Sequence, residues 1–194
     1  MGSETTNFQH WMKQALAEAQ GPDDVVRSDV SHRAGNGVSQ NSGNDVSHED
    51  AAGILQSSGT PVKDVPVGCL ILKDGVVLGR AHNEREEKQD PTAHAELIAI
   101  RQAAKHLSSW RLSGCTLIVT LEPCAMCAEA IIQSRISTLV FGAYDQRSGA
   151  CGSAFNLFVS GRSYPLPEII GGIEEEECER MLADFFKSVR NKSE

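Results

Sequence analysis

The 194-residue chain has no apolar run approaching the roughly 20 residues needed to cross a bilayer. Its first 20 residues carry polar and acidic side chains where a signal peptide needs an apolar core. A membrane span and an export signal are therefore not expected, and the expected location is a cytoplasm or an organelle such as a plastid. Positive charge is in deficit: 18 Lys and Arg stand against 26 Asp and Glu, and the net charge of -8 opposes any broad attraction to a polyanion. Contact with nucleic acid would have to be local. Six cysteines, irregularly spaced, are too few for a disulfide framework, so they are expected to be thiols or metal ligands in a reducing compartment. What is present is ordinary for a globular protein, with 40 % hydrophobic and 23 % charged residues. Length and composition point to a single domain over 1–194 with enough interior for a proper core.

Phe8, Trp11, Met12, Ala15, Leu16 and Ala19 recur at spacings of three and four, which predicts an amphipathic helix over Phe8 to Ala19. Residues 21–64 break the pattern. Half of these 44 residues are Gly, Ser, Asp or Asn and none is aromatic, so the segment reads as a flexible low-complexity insertion. Its repeat, Asp29-Val30-Ser31-His32 and Asp45-Val46-Ser47-His48, reads as a duplication within a loop rather than as a metal site. Order resumes with the run Val65 to Leu72, followed by Asp74-Gly75 and Val76 to Leu78, a predicted hairpin with Asp-Gly at its turn. Asp90-Pro91 offers an N-cap with proline in the first helical position, predicting a helix from Pro91 to Leu107. Thr116 to Leu121 reads as a buried strand, Pro123 as the start of a helix running to Ser134, and Thr138 to Phe141 as another strand. Glu168 to Ile170 and Glu174 to Val189 complete the series as a short strand and a final helix. The alternation implies an α/β sandwich with parallel pairing in its second half.

Chemistry concentrates in His94-Ala95-Glu96 and Pro123-Cys124-Ala125-Met126-Cys127. His94, Cys124 and Cys127 supply imidazole and two thiolates, a set that suits zinc, and three protein ligands leave the fourth position of a catalytic site to water. Each part of the set stands where a strand or loop gives way to a helix N-terminus, whose dipole favours thiolate. Glu96, two residues past His94, is placed to shuttle protons without being a ligand. A structural zinc site would close with a fourth Cys or His, and none is adjacent. A redox Cys-x-x-Cys would not need the His-x-Glu pair. Cys69, Cys115, Cys151 and Cys178 fit ordinary buried thiols. Met126 is expected in the core, His10 and His106 on the surface, and Glu122 at a strand end bonding nearby backbone.

These residues resemble the signature of zinc nucleobase deaminases. With Trp11-Met12, Val65-Pro66-Val67-Gly68, Asp90 to Glu96, Thr120 to Cys127, and Phe141-Gly142-Ala143 with Asp145 and Gly149 in the same order, the chain is similar to the cytidine deaminase-like superfamily. Within it, the chain resembles the bacterial and plastid tRNA-specific adenosine deaminases, over nearly its whole length outside 21–64. The resemblance implies a three-layer α/β/α sandwich around a mixed five-stranded sheet and a homodimer with active sites near the subunit interface. It also implies conversion of adenosine to inosine in the tRNA anticodon loop, at the wobble position. It places zinc on His94, Cys124 and Cys127, and the proton shuttle on Glu96. It puts the Ala95 amide near the metal-bound water, Asn83 on the target nucleoside, Val65, Pro66 and Leu121 around the base, and Asp145 on a flanking nucleotide. Two features depart from the family: the insertion, and a basic C-terminal tail thinned to Lys187, Arg190 and Lys192. A deaminase of a free nucleobase or nucleoside, such as guanine or cytosine, would share zinc and Glu96 and would suit the net charge. A catalytically dead zinc subunit of a heterodimer would have no use for Glu96.

Overall fold

Strand and helix alternate along the chain as α1 (Gly2–Ala19), β1 (Gly68–Lys73), β2 (Val76–His82), α2 (Arg85–Lys88), α3 (Ala95–His106), β3 (Thr116–Leu121), α4 (Ala125–Gln133), β4 (Thr138–Ala143), β5 (Glu168–Ile170) and α5 (Glu175–Arg190). The structure is a computed structural model that describes residues 2–21, 64–159, 161 and 163–191. The chain divides into two units, residues 1–25 with 63–194 and residues 26–62, and every described residue belongs to the first. The insertion expected at 21–64, with His32 and His48, lies outside the described residues except for Gly21 and Asp64.

The strands form one mixed sheet in the order β2-β1-β3-β4-β5 among the described residues. β1 is antiparallel to β2 and β3, while β3, β4 and β5 pair in parallel. Alternation along each strand sends one set of side chains to each face. Leu70, Leu72, Ile118 and Val140 meet Met12, Ala15 and Leu16 of α1 and Cys178 of α5. Cys69, Ile71, Leu117, Val119, Leu139 and Phe141 meet Ala95, Ile98, Ala99 and Ala103 of α3 and Ile131 of α4. The result is the expected three-layer α/β/α sandwich. Each fully buried Leu or Ile contributes about 2 kcal/mol of transfer free energy. Two glycines let helices approach the sheet closely. A Cβ on Gly68 would lie 1.9 Å from the Ala15 carbonyl oxygen, and one on Gly79 would lie 2.6 Å from that of Ala99.

Several boundaries differ from the sequence pattern. The hairpin turn is as expected, with Asp74 at φ 50° and Gly75 at φ 76° in the left-handed region that an Asp-Gly type I′ turn needs. β1 starts at Gly68 rather than Val65, and β2 continues to His82. Asp90 does not cap α3. Its Oδ1 accepts from the Thr92 amide at 2.8 Å and the Thr92 hydroxyl at 2.7 Å, a local turn that competes with helix, so α3 begins at Ala95. α4 likewise begins at Ala125 rather than Pro123, leaving Cys124 in the N-cap position. Met126 is exposed, not in the core: α4 buries Cys127, Ala128, Ile131 and Ile132, which puts residue 126 on the outer face. Cys69, Cys115 and Cys178 are fully buried, while Cys151 is half-buried. His10 and His106 are exposed.

His82, at the end of β2, lies between two carboxylates, with Nδ1 3.9 Å from Glu18 of α1 and Nε2 4.0 Å from Glu84. Arg80 also faces Glu18, at 3.7 Å. Interaction with Glu18 foremost, together with the charges of Glu84 and Glu87, raises the His82 pKa against the opposing effect of partial burial. A histidine raised in the folded state stabilises the fold fully below its unfolded pKa of about 6.5, and that contribution is lost as pH rises through the folded value. His82→Gln is therefore expected to lower Tm relative to the parent at about pH 6 and to bring the two together by about pH 8.5. Thermal melts at both pH values check this, and a gap that widens with pH would contradict it.

Candidate metal centre and active site

Because β1 is antiparallel to both β2 and β3, those two run in the same direction, and β4 runs with β3. The carboxyl ends of β2, β3 and β4 therefore open on one edge of the sheet, where open α/β sheets place their ligand crevices. A pocket of about 740 Å³ lies there. Its walls come from the residues just past those strand ends: Asn83 after β2, Glu122 and Cys124 after β3, Tyr144 and Asp145 after β4.

Two helices start at this edge. His94 occupies the N-cap position of α3 and Cys124 that of α4. His94 Nδ1 lies 3.9 Å from Cys124 Sγ and 3.6 Å from Cys127 Sγ, and the three ligand atoms all fall within 4.8 Å of one another. A tetrahedral ion with metal–sulfur bonds of about 2.3 Å and metal–nitrogen bonds of about 2.1 Å has nitrogen–sulfur edges of about 3.6 Å, so the donor set fits such an ion. Hydrogen bonding from Cys127 foremost, and from His94, holds the Cys124 thiol down to about 3, while sharing that thiolate pushes Cys127 up. Metal binding requires both sulfurs as thiolates.

Glu96 is 4 % exposed and borders the pocket, yet it is not part of the ligand set. Burial, foremost, pushes its carboxyl above the ordinary range. Asn83 ties two pieces of backbone together: Nδ2 donates to the Val65 carbonyl at 3.0 Å, and Oδ1 accepts from the Ala95 amide at 3.0 Å. The Ala95 amide is engaged within the protein. Its single hydrogen goes to Asn83, satisfying one of the donors left over at the start of α3, and Ala95 does not line the pocket. Val65, Val67 and Leu121 line the pocket and Pro66 does not, in keeping with the alternation of extended chain. Asp145 lines it too, with Oδ1 accepting from the amides of Arg147 at 2.9 Å and Ser148 at 3.1 Å.

Other lining residues escaped the pattern. Arg85, Arg147 and Arg190 surround the pocket, and Tyr144 and Phe186 add aromatic surface that is 43 % and 48 % exposed. Leu182, Phe186 and Val189 make a helical stripe that reads like core, but part of it faces the pocket. Arg190 was legible only as a remnant of a basic tail.

A three-layer α/β/α sandwich with a His, Cys, Cys donor set and a buried glutamate beside it defines a hydrolytic deaminase of the cytidine deaminase-like class. The chain belongs to the MafB19-like deaminase family, which it matches over residues 44–190. It is 46 % identical over 129 residues to the tRNA-specific adenosine deaminase of Bacillus subtilis (strain 168), across 66 % of this chain and 80 % of that protein. It is 43 % identical over 140 residues to the chloroplastic tRNA(adenine(34)) deaminase of Arabidopsis thaliana, across 64 % of this chain and 11 % of that much longer protein. A solved structure from studies of A-to-I editing by tRNA:A34 deaminases at the wobble position of transfer RNA superposes with a TM-score of 0.58. That match is 41 % identical and covers 61 % of this chain and 86 % of that one. No helix among the described residues is long and apolar enough to cross a membrane.

Cys124→Ser removes one of three donors and is expected to lower metal affinity by at least about tenfold, more than the loss of a supporting hydrogen bond costs. Elemental analysis of the purified variant beside the parent tests this. Equal metal content would take Cys124 out of the centre.

Proposed function

We propose that the chain hydrolyses adenosine to inosine at the wobble position of tRNA, with zinc held by His94, Cys124 and Cys127. The observation that carries this reading is the juxtaposition of the donor set with a buried, non-ligating Glu96 on one pocket wall. Bound zinc supplies Lewis acidity, which makes water nucleophilic at neutral pH. Glu96 takes a proton from the attacking water and delivers it to the ring nitrogen beside C6. It then moves the second proton of that water from the new C6 hydroxyl to the amine, which departs as ammonia and leaves the C6 carbonyl of inosine. Burial keeps Glu96 out of bulk water, so its proton stays within the pocket. Asn83 fixes the start of α3 against the Val65 segment, and Val65 and Leu121 give the base an apolar wall.

The surroundings of the pocket suit RNA better than a free base. Three arginines line the pocket beside the carboxylates of Glu96, Glu122 and Asp145, of which Glu122 and Asp145 already accept from backbone amides, and the exposed rings of Tyr144 and Phe186 offer stacking surface for unpaired bases. Asp145 is the residue we assign to a flanking nucleotide. A single deaminase domain interrupted by residues 21–64 and acting as a homodimer completes the reading, in a compartment that keeps its six cysteines reduced.

An anticodon hairpin with adenosine at the wobble position is expected to yield inosine, and the same sequence locked in a duplex is not, because extruding a paired base costs a few kcal/mol. Mass spectrometry of the products decides. Efficient turnover of free guanine or cytosine with every hairpin ignored would replace this reading by that of a free-base deaminase. Glu96→Ala should retain about one zinc per chain while turnover drops by a factor of about 100 or more. A variant that works near the parental rate would take Glu96 out of the mechanism.

A further inference from the structure

We propose that Glu122 is the positioning residue of the substrate loop: its buried carboxylate gathers three backbone amides and so fixes the turn whose side chains form one pocket wall. The inference rests on the reading of the pocket as an RNA-substrate site. Glu122 follows β3 directly, two residues before Cys124, and is 2 % exposed. Its Oε2 accepts from the Asp145 amide at 3.0 Å, and its Oε1 accepts from the amides of Cys151 at 2.9 Å and Ser153 at 3.2 Å. A buried carboxylate is costly to desolvate, and three N–H donors from one loop replace the water it has lost.

The same loop carries Tyr144, Asp145, Arg147 and Ser148, all of which line the pocket. The turn is braced internally, through Asp145 Oδ1 to the amides of residues 147 and 148 and through the Gly149 amide to the Asp145 carbonyl at 2.9 Å. Its attachment to the body runs through Glu122 and through the Ala150 amide, which donates to the neighbouring Pro123 carbonyl at 2.9 Å. Gly149 supplies an independent observation: a Cβ there would lie 2.4 Å from Glu122 Oε2 and 2.5 Å from the Asp145 carbonyl oxygen, so the carboxylate fits against the loop only because residue 149 has no side chain. Glu122 thus links the strand end that carries a metal ligand to the wall that meets the substrate. It acts on affinity through the loop, while the proton chemistry belongs to Glu96.

Glu122→Gln keeps the shape but turns one oxygen into a donor facing an N–H, so one attachment of the loop is lost. For an anticodon hairpin, KM is expected to rise about tenfold, with kcat within about threefold of the parent and metal content unchanged. Hydrogen exchange of the peptide spanning residues 144–153 should quicken about tenfold, with exchange in α3 unaltered. Gly149→Ala presses on the same carboxylate from the loop side and should give the same pattern, which keeps the test decisive if Glu122→Gln does not fold. Unchanged KM with loop amides as protected as in the parent would overturn the proposal, and so would a fall in kcat at constant KM. If the parent leaves hairpins untouched, it is the assignment of substrate that fails, and loop exchange in the two variants still decides the role of Glu122.

Discussion

The site depends on two helices beginning at the same point on the same edge of the sheet. A helix start leaves backbone N–H groups without partners, and its dipole favours negative charge. Setting His94 and Cys124 at the N-caps of α3 and α4 brings imidazole and thiol together at a place that helps hold thiolate. Much of the neighbouring structure serves that convergence. Asp90 turns the chain just before α3, so that the helix starts after His94 and not before it. Asn83, arriving from β2, satisfies the Ala95 amide and ties it to Val65. Gly79 lets α3 lie close against β2, where a Cβ would meet the Ala99 carbonyl oxygen.

Most of the architecture was legible because it follows from side-chain periodicity. The Asp74-Gly75 turn, the β-branched strands and the helical stripes each carry local signals, and the parallel half follows from strands alternating with helices. Helix starts were read two to four residues early at Pro91 and Pro123, since proline marks the first turn in general but here belongs to the approach. The ligand set was legible because its chemistry leaves few alternatives. Pro66 and Ala95 show what a local pattern does not carry: which neighbour lines a wall depends on the phase of the extended chain, and where an amide points depends on a residue twelve positions away. The α5 contribution was obscured because Phe186 and Val189 share the apolar periodicity of core residues, yet they line the pocket and stay exposed.

An acidic chain can still hold a polyanion, because what matters is where the charges stand. Ionic screening limits electrostatic reach to about 8 Å at physiological salt. The acidic run at Glu174 to Glu177 stands at the start of α5 and Arg190 at its end. With a rise of about 1.5 Å per residue, these are about 22 Å apart, more than two screening lengths. The run complements the positive end of the helix dipole, and Lys187 and Arg190 complement the negative end. One helix therefore carries its acidic run at one end and Arg190 at the other, on the pocket lining that also includes Arg85 and Arg147. The net charge of -8 governs the far field, whereas the pocket lining holds three arginines whose reach is local.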